Sequence, residues 1–430
     1  MEKGFLVVSV YDKITNQPIN NATVIVRGDN YEENFSTNNT GKTNTIELDA
    51  PLKIYSLYPQ KEVRPYSIYQ VEVSKTDFEK TIIKGVQVFP DETSLQSVYL
   101  NNNDARTKNL RDEVFDVPPH SLWEETKEGG SQNISGITTN FSNTNPISNT
   151  YTPDILNTNN INLNDNRVVP EFFIPEYVIV HDGAPTDTNR PRYYVPFVDY
   201  IKNVASGEIY STWPVESLMA NIYAIMSFTM NRIHTEWYRS RGFNFTVTSL
   251  PRFDQTYYYN RTIFKSISDV VDQVFNYHIQ RDNNNFPFLA QYNDGIQPNI
   301  PGRLSQWGSK YLADDGYSAL QILRHYYGSS TILVSSEKTQ GLPTTFPGYN
   351  LTIGVCGDQV QRLQVMLNAI SGNFPAIPTI SPVNGQYNDD TKDSVEVFQQ
   401  VFELPVTGTV DFRTWYRIKN IYIAVSRKLE

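Results

Sequence analysis

Short apolar segments recur through the first hundred residues, and two of them, Tyr69–Val73 and Gly85–Phe89, alternate apolar and polar positions with a period of two. Turn-forming residues, such as Pro18 and the run from Asn38 to Gly41, separate the segments. Each segment is rich in β-branched residues, which is typical of strands with one buried face. The segments are Phe5–Tyr11, Ala22–Val26, Tyr69–Val73, Gly85–Phe89 and Leu95–Leu100. Short strands at this spacing predict an N-terminal all-β sandwich over residues 1–101, with a structural or targeting role.

The periodic pattern is lost between residues 102 and 167. Asn accounts for 11 of the 39 residues from 129 to 167, and the apolar residues there are isolated. Such a segment buries too little apolar surface to offset the entropy that ordering it would cost. We therefore predict an exposed, Asn-rich linker or propeptide over residues 102–167, in which a protease would find an accessible site.

Helical spacing of apolar residues begins in the next region, residues 168–335. Val178–His181 predicts a strand, whereas the apolar residues from Phe197 to Ala205 follow one helix face. We expect that helix to end at Gly207, because glycine is common just past a helix C-terminus. A wide apolar stripe after Pro214 predicts a second, buried helix. The mixture of both periods predicts a central α+β domain.

Three short helical patterns fill residues 345–430 and predict a small all-α, three-helix domain. Its motif residues are Gly357–Gln364, Gly385–Tyr387, Phe398–Gln399 and Thr407–Val410. In this order and spacing they resemble the three-helix peptidoglycan-binding module that is attached to many wall hydrolases. The resemblance implies that the module binds peptidoglycan. Gln364, Tyr387 and Gln399 are the polar or aromatic candidates for contacts with the ligand.

Charge and cysteine content exclude several classes of function. The chain has a formal net charge of −10 and no strongly basic part, so we expect no nucleic acid partner. With one cysteine, Cys356, the chain forms no internal disulfide and no cysteine-based metal site. The five histidines show no ligand spacing, so we predict no metal ion, no cofactor and no zinc amidase activity.

The N-terminal apolar run, Phe5–Val10, is too short for the core of a signal peptide. No apolar run approaches the length that spans a membrane, so we expect no membrane span. These features predict a protein that is made in a cytoplasm and is not exported by the general secretory route.

The central region carries a second set of motifs. They are Tyr200–Glu208, Trp213–Leu218, Asp254–Tyr257, Leu304–Gly308 and Gly316–Gly328. Over about 165 residues these motifs resemble, in the same order, the stage II sporulation protein D family of lytic transglycosylases. The resemblance implies that Glu208 is the catalytic acid/base. It implies that the substrate is bound by Tyr200, Trp213, Asp254, Gln255, Tyr257, Ser305 and Gln306.

The chain departs from that family at several positions. Asn221 and Met226 stand where the family usually has Gln and Arg, and Asp254 stands where it has Cys. The segment Gln291–Gly295 replaces a Ser-Gly-Gly stretch, and the Cys/His set that binds zinc in some members is missing. These departures reduce the expectation of zinc and leave the details of the substrate cleft open.

Cutting a glycosidic bond requires a proton for the leaving oxygen. A lytic transglycosylase needs one carboxyl group, because the C6 hydroxyl of the sugar attacks and closes a 1,6-anhydro ring. We expect Glu208 to follow the helix end, with small residues from Ala205 to Gly207 leaving room for a glycan. Burial near Trp213 would raise its pKa. A two-carboxylate hydrolase using Glu208 and Asp254 is the first alternative.

The order of the three domains resembles the clostridial germination-specific spore cortex-lytic enzymes. That resemblance implies cortex peptidoglycan as the substrate, and a zymogen whose N-terminal sandwich is a pre- or pro-domain. It also implies an activating protease as a partner, and a location in the cortex or coat region of the spore after synthesis in the mother cell. The second alternative is a non-catalytic wall-binding protein, which Asn221 and Met226 favour. The sequence leaves the oligomeric state open.

Overall fold

The computed structural model describes residues 1–102, 112–123, 174–234, 237–238, 243–281, 287–296, 300–336, 339–340, 347 and 349–426. Most of the predicted linker, including its Asn-rich part, lies outside the described residues. The boundary predicted near Arg167 lies outside them as well.

Eight strands form the N-terminal region. They are β1 (Glu2–Asp12), β2 (Thr23–Gly28), β3 (Tyr31–Ser36), β4 (Ile46–Ala50), β5 (Ser67–Ser74), β6 (Thr81–Val88), β7 (Thr93–Leu100) and β8 (Glu113–Asp116). One sheet has the order β3-β2-β5-β6-β8, and the other contains β7-β1-β4. Buried residues alternate with more exposed ones along β1 and β7. The buried residues of both sheets form one apolar cluster, as a sandwich requires. The prediction of a β-rich N-terminal region is confirmed.

Strand β8 lies within the segment that was predicted to be linker. It pairs in parallel with β6, with Thr81 opposite Glu113, and Lys13 forms an ion pair with Glu113 at 2.7 Å. Val117 is buried in the sandwich core, and Trp123 is buried in the larger core that extends into the central region. Residues 112–123 of this segment are therefore an ordered extension of the sandwich.

The central region combines short strands with five helices. Its strands are β9 (Ile174–Pro175), β10 (Tyr177–His181), β11 (Arg192–Pro196), β12 (Val247–Thr248), β13 (Ile263–Phe264), β14 (Tyr277–Arg281), β15 (Tyr292–Asn293), β16 (Leu304–Ser305), β17 (Thr331–Ser335) and β18 (Thr339–Gln340). Its helices are α1 (Phe197–Glu208), α2 (Val215–His234), α3 (Lys265–Val274), α4 (Gln306–Asp314) and α5 (Ala319–Tyr327). Helix α2 contacts the other four helices, and its residues from Ala220 to Met226 are buried. The second helix is thus buried, as its apolar stripe predicts.

The N-terminal and central regions share a sheet and a core. Strand β13 extends the β7-β1-β4 sheet by pairing with β7, with Ile263 opposite Leu95. The ring of Phe264 packs edge-on against that of Phe89, with 5.0 Å between the ring centroids. Phe89, Phe264 and Tyr66 belong to the same apolar cluster as the core of the central helices. The sandwich therefore packs directly on the region that carries the candidate site.

Helix α1 does not end at Gly207, as its sequence predicted. It continues through Glu208, and the amide of Ile209 donates to the carbonyl of Ala205 at 3.0 Å. Gly207 is required for a different reason, which is close packing. An added Cβ at Gly207 would lie 2.8 Å from Cζ of Arg261.

The residues from Ala205 to Gly207 are buried, so they do not form the open approach for a glycan that we expected. The hydroxyl of Ser206 accepts a hydrogen bond from the amide of Phe264 at 3.2 Å. Small side chains at these positions allow β13 and Arg261 to pack closely on α1.

Three helices form the C-terminal region: α6 (Asp358–Ser371), α7 (Asp389–Val401) and α8 (Phe412–Ser426). Leu363, Leu367, Phe398 and Trp415 are fully buried in their common core. The helical C-terminal region is confirmed. In the part of the chain that the structure describes, no helix is both long enough and apolar enough to cross a membrane.

Candidate active site and peptidoglycan-binding domain

Glu208 is held at the end of α1 by hydrogen bonds to both carboxylate oxygens. Its side chain is nearly inaccessible, since only 4% of the residue surface is exposed. The backbone amide of Thr256 donates to Oε1 at 2.7 Å, and the hydroxyl of Tyr292 donates to Oε2 at 2.6 Å. The carboxyl group therefore has a fixed orientation.

A network of buried side chains supports this arrangement. Gln255 donates from Nε2 to the hydroxyl of Tyr292 at 3.1 Å. Its Oε1 accepts from the hydroxyls of Tyr200, at 3.0 Å, and Thr229, at 2.6 Å. Tyr200 and Gln255, both predicted to bind substrate, are thus connected to Glu208 through Tyr292. Because satisfied buried networks are rigid, these residues position the carboxyl group.

Tyr292 is the main residue of the site that the sequence did not single out. It lies in Gln291–Gly295, the segment noted as a departure from the family pattern. In the sequence, Tyr292 is recognisable only as a tyrosine beside a polar segment that contains glycine. Such a pattern is too common to predict a contact with a glutamate 84 positions earlier.

Burial is the main cause of a raised pKa for Glu208, because a desolvated carboxylate is less stable than the neutral acid. The hydrogen bonds from Tyr292 and Thr256 and the positive charge of Arg261 lower the pKa and partly oppose this effect. The direction agrees with the expectation from sequence. Such a carboxyl group remains protonated at higher pH than an exposed glutamate, which suits a general acid.

Arg261 is the charged neighbour of Glu208. It is 4% exposed, and burial lowers its pKa to about 10. Its three guanidinium nitrogens have no hydrogen-bond partner among the residues that the structure describes. The guanidinium lies against Gly207, so it is adjacent to the segment that carries the glutamate.

Trp213 forms part of the wall between the sandwich and the central region. Its indole nitrogen donates to the carbonyl of Ser56 at 3.0 Å. Its ring packs on Trp307 and Tyr210, with centroid distances of 4.8 and 5.8 Å. Trp213 therefore contributes to the apolar core beside α1, rather than presenting an open face for stacking on a sugar.

Asp254 is buried and fully engaged in hydrogen bonds. Arg232 donates to Oδ1 at 3.0 Å. Oδ2 accepts from the hydroxyl of Tyr238 at 2.7 Å, and from the amide and the hydroxyl of Thr248 at 2.8 Å each. This arrangement fixes the loop before Gln255, and the prediction that Asp254 contacts the substrate stays a prediction.

Tyr257, Ser305 and Gln306 also have well-defined packing roles. Tyr257 stacks on Tyr200, with 5.6 Å between the ring centroids. Ser305 is the N-cap of α4 and accepts from the amide of Gly308 at 2.9 Å. Gln306 is buried at the start of the same helix. The prediction that they contact a substrate stays a prediction.

The two departures on α2 are packing residues. Asn221 donates from Nδ2 to the carbonyl of Ser217 at 2.8 Å and to the hydroxyl of Ser309 at 2.7 Å. It thereby ties α2 to α4. Met226 is fully buried in the apolar core. Neither residue takes part in the hydrogen bonds that the structure shows for Glu208.

The segment from Val117 to Trp123 covers the end of α1 on the side of the sandwich. The amide of Ser121 donates to the carbonyl of Gly207 at 3.0 Å. Nδ1 of His120 accepts from the amide of Leu122, so Nε2 carries the proton and donates to the carbonyl of Ile209 at 3.2 Å. Burial lowers the pKa of His120 to about 3, and the imidazole is neutral. The backbone on both sides of Glu208 is thus bound by the N-terminal region.

In the C-terminal region, the predicted contact residues hold loops. Gln364 donates to the carbonyl of Gln386 and accepts from the amides of Asn384 and Gly385. Gln399 makes the same pattern with the loop from Thr407 to Thr409. Tyr387 is buried and donates to the carbonyl of Gly408 at 3.0 Å. These side chains shape the two loops from inside, and any ligand contact by them stays a prediction.

Replacing Gln364 with Leu is expected to test this structural role. The change leaves the amides of Asn384 and Gly385 without an acceptor, so we expect a loss of about 2–4 kcal/mol in the unfolding free energy of the helical module. Thermal unfolding of the full chain measures the effect, with exposed Gln361 replaced by Leu as the matched control. An unchanged transition would mean that the loop does not depend on Gln364.

Residues 356–418 match a family model described as peptidoglycan binding domain. The C-terminus carries a peptidoglycan-binding domain. This match covers α6, α7 and the first turns of α8, and it supports a cell-wall-binding protein with peptidoglycan as a partner. It also agrees with the resemblance seen in the sequence motifs of this region.

Two solved structures show limited similarity to a fraction of the chain. The TIE protein of Bacillus anthracis is 16% identical over 24% of this chain and 17% of its own, with a TM-score of 0.18. The 5-hydroxyisourate hydrolase of Klebsiella pneumoniae is 17% identical over 23% of this chain and 87% of its own, with a TM-score of 0.16. A search of curated proteins finds no match.

Proposed function

We propose that the protein is a peptidoglycan lytic transglycosylase that cuts the bond between MurNAc and GlcNAc in the glycan strands of the spore cortex. One observation carries this proposal. A buried carboxyl group, Glu208, has both oxygens fixed by donors and a raised pKa, in a chain that also has a peptidoglycan-binding domain.

The geometry supports a one-carboxylate reaction. Glu208, as the neutral acid, gives its proton to the glycosidic oxygen, and the bond from that oxygen to C1 of MurNAc breaks. The C6 hydroxyl of the same MurNAc then forms the new bond to C1. Its proton passes to the Glu208 carboxylate, which restores the acid. The Tyr292 hydroxyl and the Thr256 amide stabilise the carboxylate between the two transfers.

The hydrolase alternative requires a second carboxylate that activates water. Asp254 is the candidate, but its oxygens already accept from Arg232, Tyr238 and Thr248. A water-activating base needs a free lone pair, so these contacts favour the one-carboxylate reaction. The non-catalytic alternative rested on Asn221 and Met226, which are explained by packing of α2.

The site is closed in this structure, which supports a zymogen. Glu208 is almost fully buried, and the segment from Val117 to Trp123 binds the backbone beside it. We place the activating cut in residues 124–167, the part of the chain with linker composition. Such a precursor would be stored in the spore and activated during germination.

Analysis of the soluble products tests the reaction. The full-length protein, cut in residues 124–167 by an added protease, is incubated with purified cortex peptidoglycan. Mass spectrometry is expected to find fragments that end in 1,6-anhydro-muramic acid. Reducing ends would show hydrolysis and would make Asp254 the second carboxylate. The absence of fragments from a correctly folded, cortex-bound protein would favour the binding protein.

Replacing Asp254 with Asn provides a second test. The change leaves Arg232 as a buried charge without its partner, so we expect a loss of about 3–5 kcal/mol in unfolding free energy. Below the unfolding temperature of the variant, the products should still end in 1,6-anhydro-muramic acid. A stable but inactive Asp254→Asn variant would instead assign the carboxylate of Asp254 to the reaction.

A further inference from the structure

The side chain of Arg261 packs against α1 at Gly207, where the absence of a Cβ atom leaves room for the guanidinium. Asn260, just before it, has a positive φ of 64°, and the amide of Arg261 donates to the carbonyl of Tyr258 at 3.1 Å. This turn directs the side chain inward against Gly207. A Cβ at Gly207 would lie 2.8 Å from Cζ and 2.9 Å from Nε of Arg261, so a larger residue would displace the guanidinium.

The guanidinium keeps a buried charge without a hydrogen-bond partner in the described part of the chain. Buried arginines are normally paired, because an unpaired charge in the interior is unfavourable. Retaining one here is not explained by packing, since an apolar side chain would fill the same space at a lower free energy. The position of the charge, next to the residue that precedes Glu208, points to an electrostatic role.

Several titratable groups face Arg261 or Glu208 from the surrounding elements. They are Tyr66, His120, Tyr200, Tyr258 and Tyr292. His120 is neutral, and the hydroxyls of Tyr200, Tyr258 and Tyr292 are neutral because burial raises their pKa values. Asp254, whose charge reaches Tyr200, is paired with Arg232. Glu208 is therefore the acidic group in this set whose ionisation Arg261 would influence most directly.

We propose that Arg261 is a positioning residue that acts through Glu208: its charge stabilises the carboxylate left when Glu208 gives up its proton. The inference rests on the proposed function, in which one carboxyl group must donate a proton and then accept another. Burial favours the neutral acid. The charge of the guanidinium adds to the hydrogen bonds from Tyr292 and Thr256 in opposing that effect.

The missing hydrogen bond is part of this role. A bidentate pair with arginine would hold Glu208 as a carboxylate and would occupy the oxygens that must exchange a proton. Arg261 instead acts by charge alone, while Thr256 and Tyr292 provide the hydrogen bonds. The carboxyl group therefore remains able to adopt both protonation states.

The pH dependence of the cleavage rate tests the proposal. The full-length protein, cut between residues 124 and 167, is compared with its Arg261→Met and Arg261→Lys variants on cortex peptidoglycan. Loss of the charge destabilises the carboxylate, so the alkaline limb of the Arg261→Met profile should move up by roughly one to two pH units. Its rate on the acid side should fall about tenfold or more. Lysine should restore the limb to near its original pH.

Exposed Arg252 provides the matched control, and Arg252→Met should leave the profile unchanged. A folded Arg261→Met variant with the original profile would refute the role of Arg261. If Glu208→Gln abolishes cleavage in the same assay, the proposed function survives that result. If Glu208→Gln has no effect, the proposed function itself fails.

The titration of Glu208 can also be measured directly, which tests the proposal in variants that do not cleave the substrate. Infrared difference spectra between the original chain and its Glu208→Gln variant isolate the carboxyl band of Glu208 at each pH. Gly207→Ala, which displaces the guanidinium without removing its charge, and Arg261→Met should both raise the midpoint of that titration. An identical midpoint in the original chain and in Gly207→Ala would refute the proposal even if Arg261→Met fails to fold.

Discussion

Replacing Glu208 with Gln is expected to slow the release of soluble cortex fragments on the order of 10³-fold. The amide keeps the size of the side chain but has no proton to give to the glycosidic oxygen. Binding to insoluble peptidoglycan should be unchanged, because the C-terminal domain is untouched. Release of muramic acid-containing fragments measures the first effect, and sedimentation with the polymer measures the second.

Glu92 offers a closely matched control. It is also buried, burial also raises its pKa, and it accepts hydrogen bonds from Ser266 and from the amide of Thr93. It lies outside the hydrogen bonds of Glu208. Glu92→Gln is therefore expected to keep the rate within a few-fold below its unfolding temperature. Equal losses in both variants would mean that a buried carboxyl group matters only for folding.

The original chain and its Glu208→Gln variant are expected to differ in how their stability depends on pH. The pKa of Glu208 is raised in the folded state, so its stabilising contribution is complete below the unfolded pKa of about 4.3 and is lost as pH rises through the folded pKa. The unfolding free energy of the original chain should therefore fall relative to that of Glu208→Gln as pH rises through this window. Urea unfolding at several pH values measures the slope, and an opposite slope would contradict the raised pKa.

Replacing Phe264 with Ala is expected to remove about 3–5 kcal/mol from the unfolding free energy. The ring is fully buried and packs on Phe89 where β13 joins the sheet of the sandwich. Its loss creates a cavity between the N-terminal and central regions. Urea unfolding followed by tryptophan fluorescence measures the change, because Trp213 and Trp307 belong to the same core.

Phe253, which is 36% exposed, is the control for this effect. Its replacement by Ala should cost no more than about 1 kcal/mol, because little apolar surface is removed from the interior. Equal losses of unfolding free energy in the two variants would show that burial of Phe264 at the shared sheet adds no stability beyond that of an exposed aromatic ring.

The elements of the fold were predictable where one apolar period persists over many residues. The alternation in β5 and the wide stripe of α2 are examples, because burial of one face follows from the period. Strand β8 was not predictable, since four residues in a polar context give little period, and their pairing with β6 is a tertiary contact. The prediction that α1 ends at Gly207 was wrong, because the glycine is needed there to let another side chain pack closely on the helix. That side chain belongs to Arg261, 54 positions later, so the local sequence does not reveal it.

The candidate site was predictable only in part, for a related reason. Glu208, Tyr200 and Gln255 lie in motifs with a recognisable order, and the structure brings them into one network. Tyr292 lies in a segment without a motif, and its role arises from the position of its hydroxyl group. For Gln364 and Gln399 the sequence pattern was clear but its meaning was not. Both residues occur at a distinctive spacing because their side chains hold loops, and spacing alone does not distinguish such a structural role from ligand binding.

The strand pair between β7 and β13 joins two parts of the chain whose covalent connection runs only through residues 124–173. While this connection is intact, the tether keeps the N-terminal region at a local concentration on the order of millimolar beside α1. After a cut, the same contacts become an equilibrium between two separate molecules, and their occupancy depends on dilution. Cut chains confined in a thin layer would stay paired, whereas those released into a larger volume would separate.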